Sequence, residues 1–329
     1  MTNFVKKGLL VLIVSLLFGT SFGQQLPVYN QYMMNMFLIN PAIAGADGYT
    51  SINITAREQW LGLQDSPSTQ AVSFQTRLLK KSYISRSESV KNDAQEPSRS
   101  SRIGLGGHFF TDRNGMLRRT GLQFTYAYHI QLRNSQLSFG LTAVGYQLSI
   151  SGDGFFDAYD PDDPVLLNYD RAVFIPDINF GVFYRTQDYY VGFSAINLFQ
   201  SMFKIGLQGE NDYKMLRYYY LTGGYEFVLN DDFSIIPSVL MKSPDHLKTF
   251  QMDISGKVEY KESYWGGLSY RTPDAIVIFA GVKLQNFFIG YGFDYGLNSI
   301  SKYTYGSHEF MFAVKFGDNA RRYRWLSRY

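Results

Sequence analysis

Residues 122–133 read Leu-Gln-Phe-Thr-Tyr-Ala-Tyr-His-Ile-Gln-Leu-Arg, and this stretch decides the fold. Large apolar or aromatic side chains occupy the even positions, whereas polar or small side chains occupy the odd ones. An alternation of period two predicts a β-strand with one apolar and one polar face. Asn134 and Ser135 then form a predicted tight turn, and the alternation resumes at Leu137. The stretch therefore predicts one strand of an antiparallel hairpin.

The same alternation continues along most of the chain. In residues 250–261 the side chains of Asp253, Lys257 and Glu259 share one face, and the opposite face carries no charge. Such segments number about fourteen, and an even number returns both ends of a membrane barrel to one side. The predicted strands are residues 49–58, 71–79, 103–110, 122–133, 137–150, 176–185, 189–197, 216–229, 233–242, 250–261, 264–272, 275–284, 287–296 and 307–316.

The composition favours a membrane barrel. The 329 residues include 27 Phe, 26 Tyr and 30 Gly, and aromatic side chains make up 17% of the chain. In such barrels apolar side chains face lipid, and aromatic side chains gather at both membrane interfaces. Because lipid cannot hydrogen-bond an open sheet edge, the strands must close. We therefore predict an all-β fold, a transmembrane antiparallel β-barrel of about 14 strands. A large soluble sandwich is the alternative, but its strands would be shorter and less aromatic.

The first residues have the pattern of a signal peptide. Lys6 and Lys7 precede an apolar core that is too short to span a bilayer, and cleavage is expected after Gly23. Export of a barrel indicates the outer membrane as its location. The predicted parts of the chain are the signal peptide (1–23), an N-terminal plug or hatch segment (24–48), the transmembrane β-barrel (49–317) and a basic periplasmic tail (318–329).

Charge, cysteine and histidine content exclude several functions. The chain has 31 Lys and Arg against 28 Asp and Glu, a balance that does not suit a nucleic-acid-binding protein. The absence of cysteine excludes disulfides and thiolate zinc sites. We therefore expect no enzyme activity and no cofactor. None of the histidines has the spacing of a metal site or of a catalytic motif, namely His108, His129, His246 and His308.

Long irregular stretches interrupt the strands. Residues 82–101, 152–171, 198–214 and 297–306 are predicted outer loops, because bacterial barrels have short periplasmic turns and longer outer loops. The third of these is expected to contain a helical turn. The second is acidic, so it could bind a cation such as calcium, although a solvated loop is favoured because its spacing matches no EF-hand. Pro237 predicts a bulge, since proline cannot donate to a strand ladder.

The segment before the first strand has a different character. Pro41 fixes its own φ and keeps Asn40 extended, whereas Gly45 permits a turn that other residues disfavour. A barrel of about 14 strands has a lumen wider than side chains alone can fill. We therefore predict that residues 29–45 fold into the barrel, with Asn40 hydrogen-bonded to groups of the lumen.

Several short motifs are typical of one family. They begin with Tyr32 and its neighbours and with the Asn40-Pro41-Ala42-Ile43-Ala44-Gly45 stretch, and they follow one another in order along nearly the whole mature chain. The chain resembles the PorP/SprF family of outer-membrane barrels. The matching motifs are Tyr29-x-Gln31-Tyr32, Asn40-Pro41-Ala42-x-Ala44-Gly45, Arg57-x-Gln59-Trp60, residues 67–74, Phe174-x-Pro176-Asp177-x-Asn179-x-Gly181, residues 189–194 with Asn197-Leu198, and Gly306-Ser307-His308-Glu309.

The resemblance implies a non-enzymatic barrel of the type IX secretion and gliding machinery. Its expected partners are protein components of that machinery, a large secreted adhesin, or both, together with outer-membrane lipid. A weaker similarity to long-chain fatty-acid transport barrels implies an alternative, a passive transporter of hydrophobic or small solutes. The candidate plug and family-motif residues are Tyr32, Asn40, Pro41, Ala42, Gly45, Gln59, Trp60, Pro176 and Asp177.

Overall fold

A computed structural model describes eight stretches of the chain: residues 29–78, 102–132, 134–150, 172–200, 202–204, 212–244, 250–272 and 275–316. The predicted signal peptide, the basic tail and the acidic stretch 152–171 lie outside the described residues. No helix within the described stretches has the length and apolar character needed to cross a bilayer.

The described residues form seventeen strands, and most of them have the alternating burial expected from the sequence. They are β1 (Thr50–Glu58), β2 (Ser68–Leu78), β3 (Ile103–Asn114), β4 (Leu117–Gln131), β5 (Gln136–Ile150), β6 (Val173–Arg185), β7 (Tyr189–Ile196), β8 (Met202–Lys204), β9 (Asp212–Lys214), β10 (Tyr218–Tyr225), β11 (Phe227–Val228), β12 (Phe233–Pro244), β13 (Gln251–Tyr260), β14 (Tyr264–Arg271), β15 (Ala275–Leu284), β16 (Phe287–Gly296) and β17 (Ser307–Phe316).

Fourteen of these strands close into one antiparallel barrel, which confirms the predicted fold. Each long strand pairs with its sequence neighbours, and β10 pairs with β7 on one side and β12 on the other. The first and last strands also pair, with Thr50 opposite Phe316 and Glu58 opposite His308. The short strand β11 continues β10 along β12, and β8 pairs with β9 in a separate ribbon.

The barrel wall is apolar outside and polar inside. In β1 the side chains of Ile52 and Ile54 are exposed, whereas Asn53, Thr55 and Arg57 are buried. The same holds in β4, where Phe124 is 63% exposed and His129 is 0% exposed. A soluble protein would bury its apolar faces. The inverted pattern is that of a barrel whose outer face contacts lipid.

The two ends of the barrel differ in their connections. At one end, called here the short-turn end, β1 begins, β17 ends, and short turns join β4 to β5, β6 to β7, β11 to β12, β13 to β14 and β15 to β16. The opposite end, called here the long-loop end, carries the connections 59–67, 115–116, 151–172, 197–217, 245–250, 272–274 and 297–306.

Two sequence predictions need correction. Leu78 at the end of β2 pairs with Ile103 at the start of β3 at the short-turn end, so the connection between them is not one of the predicted outer loops. The insertion 82–101 itself lies outside the described residues. The connection 197–217 contains the β8–β9 ribbon. Residues 205–211 lie outside the described residues, so the helical turn expected in this connection stays a prediction. Pro237 does not cause a bulge.

The strand β12 shows how the proline is accommodated. Gly224 lies opposite Ser238 and Phe227 opposite Ile235, so the register with β12 is the same before and after the proline. Pairing is interrupted between these positions, where β10 ends and β11 begins. Because proline has no N–H group, the ladder loses a hydrogen bond without gaining an extra residue.

Candidate functional site: the N-terminal segment and the inner barrel wall

Residues 29–48, called here the N-terminal segment, lie against the inward-facing side chains of the barrel. None of these residues is exposed. The segment is built from turns and two short 3-10 helices, η1 (Met36–Leu38) and η2 (Pro41–Ile43). Its first residues lie beside the part of the barrel wall that is nearer to the long-loop end. It ends at the short-turn end, where the Asp47 carboxylate lies 3.4 Å from the Lys315 ammonium group.

The stretch 40–45, called here the NPA turn, is shaped by its own residues. The Asn40 Oδ1 atom accepts a hydrogen bond of 2.9 Å from the Ala42 N–H and so caps η2. Pro41 occupies the first helical position, where its missing N–H is not needed. The Asn40 Nδ2 group donates to the carbonyls of Val182 at 3.0 Å and Phe193 at 3.3 Å. The Asn40 side chain thus joins the turn to the neighbouring strands β6 and β7.

Glycines in the barrel wall make room for the NPA turn. A β-carbon on Gly104 would collide with the Ala44 carbonyl oxygen. On Gly140 it would collide with the backbone of Pro41 and Ala42, and on Gly181 with the Asn40 side chain. These three glycines, called here the glycine recess, belong to β3, β5 and β6. Only a residue without a side chain permits so close an approach of two backbones.

Gly45 ends the turn in the left-handed conformation. Its φ of +66° is one that glycine adopts without strain. Its N–H donates to the Gln75 Oε1 atom at 3.2 Å, and a β-carbon on Gly45 would meet the Thr76 carbonyl oxygen at 2.5 Å. Both the conformation and the close contact therefore favour glycine at this position.

Two carbonyl groups, one near the end of the NPA turn and one just after it, face the polar inner wall. The Ala44 oxygen lies 3.0 Å from His129 Nε2, and the other ring nitrogen of His129 lies 2.8 Å from the Ser138 hydroxyl. The Ala46 oxygen accepts hydrogen bonds from three side chains on β2, β5 and β6, at 3.4 Å from Arg77, 3.4 Å from Gln136 and 3.3 Å from Arg185. His129 therefore acts here as a buried structural residue.

The other end of the segment is bound by a carboxylate. The backbone N–H groups of Asn30 and Gln31 donate to the two oxygens of Glu309, at 2.7 Å and 2.9 Å. The Asn30 side-chain oxygen accepts a hydrogen bond of 3.2 Å from Arg271. Glu309 is 1% exposed, so these contacts are shielded from solvent. Hydrogen bonds to ionised groups are stronger than neutral ones, and low solvent exposure strengthens them further.

Glu309 belongs to a buried group of five ionisable side chains, called here the charge cluster. Arg57 lies 3.1 Å from Asp294 and 3.8 Å from Glu309. Arg271 lies 3.0 Å from Asp253 and 2.9 Å from Asp294. Two arginines therefore face three carboxylates, and Lys242 lines the same cavity as Asp253. The segment adds two backbone N–H donors to this network through Glu309.

Tyr32 contacts a third part of the wall. Its hydroxyl lies 3.2 Å from Ser238 Oγ and 3.3 Å from Ser255 Oγ, and burial raises the pKa of this hydroxyl. The ring packs in a cluster with Ile39 and with residues of β10 and β12. A cavity of about 10 Å³ remains there, the space of a single water molecule. Its lining residues include Tyr29, Tyr32, Tyr220, Lys242 and Asp253.

The structure separates the remaining candidate residues from the N-terminal segment. Gln59 and Trp60 lie in the β1–β2 connection at the long-loop end, where their N–H groups donate to the Pro67 carbonyl at 2.8 Å and the Ser307 hydroxyl at 3.2 Å. Trp60 has a φ of +55°. These contacts fasten the connection to the start of β17.

Pro176 and Asp177 lie on β6 in its long-loop half. One Asp177 oxygen accepts hydrogen bonds from the N–H groups of Ile178 at 2.7 Å and Phe199 at 3.0 Å. The neighbouring Asn179 side chain accepts one from Asn197 at 3.0 Å. This motif therefore holds the turn after β7 against β6, and its geometry is that of a structural clamp.

The motifs singled out from the sequence thus divide into two sets. Tyr32 and the residues of the NPA turn meet at the inner wall, and the other motifs fold the long-loop end. Sequence reasoning missed the charge cluster as a site. A signal for it was available in the sequence. Ionisable side chains occur at inward-facing positions of strands whose residues alternate between apolar and polar, namely Arg57, Asp253, Arg271, Asp294 and Glu309.

The described part of the chain holds no group of three or more His, Asp or Glu side chains placed to bind a metal ion. Two histidines make aromatic contacts, His108 with Phe110 and His308 with Tyr291 and Phe293. The acidic stretch proposed as a cation site lies outside the described residues.

Fold and site together define a membrane-embedded β-barrel with a polar interior and an apolar outer surface. The chain belongs to the family described as Type IX secretion system membrane protein PorP/SprF, whose sequence model matches residues 21–314. This match confirms the resemblance found in the short motifs.

Solved outer-membrane barrels are similar to the chain at low sequence identity. The toluene transporter TbuX of Ralstonia pickettii is 12% identical, with a TM-score of 0.45 over 90% of this chain and 96% of that one. A deletion mutant of the monoaromatic hydrocarbon channel TodX is 10% identical, with a TM-score of 0.46 over 87% and 94%. The KdgM porin is 10% identical, with a TM-score of 0.35 over 82% and 99%. The search of curated proteins gave no match.

Proposed function

We propose that the protein is a non-enzymatic outer-membrane component of the type IX secretion and gliding machinery, and that the N-terminal segment plugs its barrel. In this role the barrel supports the export or the surface attachment of a partner protein. The partner is a protein of the machinery or a large secreted adhesin. Residues 1–23 serve as the signal peptide, and the short-turn end faces the periplasm.

The observation that supports a plugged barrel is the distribution of contacts made by residues 29–48. Their hydrogen-bond partners include side chains on β2, β4, β5, β12, β13, β14 and β17 and backbone carbonyls on β6 and β7. A segment bound to strands on all sides of a lumen leaves little room for solute flow. Such a barrel is better suited to present fixed surfaces to a protein partner than to conduct a solute.

The partner surfaces that this proposal requires are the two rims. The long-loop end offers connections that are ordered by their own contacts, including those of Trp60 and Asp177. The short-turn end offers its turns, the end of β17 and the end of the N-terminal segment. A component of the secretion machine in the periplasm would meet the second rim, and a secreted adhesin would meet the first.

A deletion strain tests the function. Loss of the gene should abolish surface display of one or more exported proteins, and the wild-type gene supplied in trans should restore it. Affinity purification of the tagged barrel from native membranes should recover a protein partner. Normal secretion in the deletion strain, with clear loss of uptake of a hydrophobic or small solute, would instead establish the transporter alternative.

Conductance of the purified barrel tests the plug separately. In planar bilayers the wild-type protein should show few or no open channels, whereas a variant lacking residues 29–48 should conduct. The comparison requires that both proteins show heat-modifiable migration on gels, which reports a folded barrel. Equal, large conductance of the two would contradict a plug.

A further inference from the structure

We propose that Glu309 is the latch of the N-terminal segment, so that the segment leaves the barrel wall from its Tyr29 end while the NPA turn remains bound. This inference rests on the proposed plug and adds the residue that controls it and the direction of release. It follows from a difference in how the two ends of the segment are attached.

The Tyr29 end is attached through few and concentrated contacts. The two backbone N–H groups of Asn30 and Gln31 converge on the single carboxylate of Glu309, and Arg271 adds one bond to the Asn30 side chain. Glu309 in turn lies near Arg57, and it faces that residue across the β1–β17 pair. Glu309→Gln keeps a single acceptor oxygen, so it removes one of these two hydrogen bonds and takes the charge from the other.

The side chains at this end are incompletely satisfied. Asn30 Nδ2 and both polar atoms of the Gln31 side chain are buried without a hydrogen-bond partner among the described residues. Burying a polar group without a partner costs free energy. Exposure of this end to water would recover that cost, and the hydrogen bonds to Glu309 oppose this in the bound state.

The NPA turn is attached in the opposite manner. Both polar atoms of Asn40 are hydrogen-bonded, and the backbone of the turn lies in the glycine recess. The Ala46 carbonyl accepts from three different strands. Removal of any one partner leaves the others in place, and the close packing is independent of charge. The NPA turn is therefore the fixed point about which the Tyr29 end moves.

Hydrogen–deuterium exchange on the purified barrel in detergent tests the direction of release. The variant Glu309→Gln should raise the exchange rate of a peptide covering residues 29–34 at least about tenfold, because charged hydrogen bonds are lost. A peptide covering residues 40–46 should keep its protection. The matched control is Glu259→Gln, an inward carboxylate of β13 that pairs with Lys257 at 2.6 Å, and it should leave both peptides unchanged.

Either of two results would overturn the latch. In one, both peptides lose protection together in Glu309→Gln while the barrel remains heat-modifiable, so that the segment moves as one body. In the other, neither peptide changes. These outcomes concern the isolated barrel, so they are independent of whether the protein serves secretion.

A reversible disulfide tests whether release of the Tyr29 end is needed for surface display. This test does not require that the Glu309→Gln variant folds. The chain has no cysteine, and a β-carbon on Gly292 would lie 3.5 Å from the Asn30 β-carbon, within the range of a disulfide. The double variant Asn30→Cys with Gly292→Cys should restore surface display in the deletion strain only under reducing conditions. Equal display with the disulfide formed would overturn the need for release. Failure of the wild-type gene in the same strain would instead contradict the proposed function.

Discussion

The two ends of the N-terminal segment contact the same barrel wall by different physical means. At the Tyr29 end, the hydrogen bonds to the wall are made by buried charged side chains, and the central residue is Glu309. At the NPA turn, the contacts are close packing in the glycine recess and the neutral hydrogen bonds of Asn40, and the Ala46 carbonyl just after the turn accepts from Arg77 and Arg185. Charge contacts are strong but depend on every partner being present, whereas close packing tolerates the loss of one hydrogen bond. The difference teaches that one short segment can have a releasable end and a permanent end.

The largest expected effect comes from removing a cation of the charge cluster. Arg271→Ala would leave Asp253, Asp294 and Glu309 with Arg57 as the one remaining arginine of the cluster. Breaking a buried ion pair from one side costs about 3–5 kcal/mol, because the remaining charge stays buried and uncompensated. We expect the midpoint of urea unfolding in detergent to fall accordingly. Residues 29–34 should lose their protection from hydrogen exchange before residues 40–46 do. Simultaneous loss would contradict the difference between the two ends.

A methyl group in the glycine recess should produce the converse result. Gly140→Ala places a β-carbon against the backbone of Pro41 and Ala42, and overpacking costs about 1–3 kcal/mol. Residues 40–46 should lose protection from hydrogen exchange, whereas the Asn30 and Gln31 contacts with Glu309 remain. The control is Gly256→Ala, since nothing lies within 4 Å of a β-carbon at that position. An equal effect of the control would show that the recess is not special.

Asn40→Ala should have a smaller effect on the same end. It removes the cap of η2 and the bonds to Val182 and Phe193, and loss of a helix cap costs about 0.5–2 kcal/mol. Because the recess stays intact, the turn should remain bound with raised exchange. Asn40→Asp keeps the capping oxygen, so its effect separates the cap from the bonds donated by Nδ2. Complete release of the turn in Asn40→Ala would show that the cap contributes more than the packing to the binding of the turn.

The smallest change is Tyr32→Phe, which removes one hydroxyl between the two ends. That hydroxyl contacts Ser238 and Ser255 at 3.2 Å and 3.3 Å, and the net worth of such a bond is about 0.5–1.5 kcal/mol. The ring stays packed against Ile39, so we expect a small fall in the unfolding midpoint and unchanged conductance. A variant that conducts freely would place the barrier to flow at Tyr32 rather than at either end.

The barrel itself was predictable because its rule is local. Amphipathic alternation can be recognised from residues that are neighbours in the sequence, and it predicts β13 and the central part of β4. The first residues of β4 were missed, since Leu117, Arg118 and Arg119 do not alternate cleanly. Pro41 and Gly45 also act locally, so the bend before β1 was evident from their backbone preferences.

The site depended on information that local patterns lack. Gly104, Gly140 and Gly181 form one recess only because the register of four neighbouring strands brings them together. Arg57 and Glu309 lie near the two ends of the barrel sequence, and only closure places them opposite each other. Ionisable residues on an inward face predict a polar lumen. Which of these residues pair with one another can be seen only in the three-dimensional structure.

The position of Glu309 has a consequence for how the molecule is made. It lies on the last strand, directly opposite Arg57 of the first, and its contact with Asn30 spans 279 positions of the chain. A contact of such long range forms late, because the entropy of closing the loop must be overcome first. The contacts of Asn30 and Gln31 with Glu309 are therefore complete only after β17 has met β1. Closure in the register that places Glu309 opposite Arg57 thus creates the site that binds the Tyr29 end of the N-terminal segment.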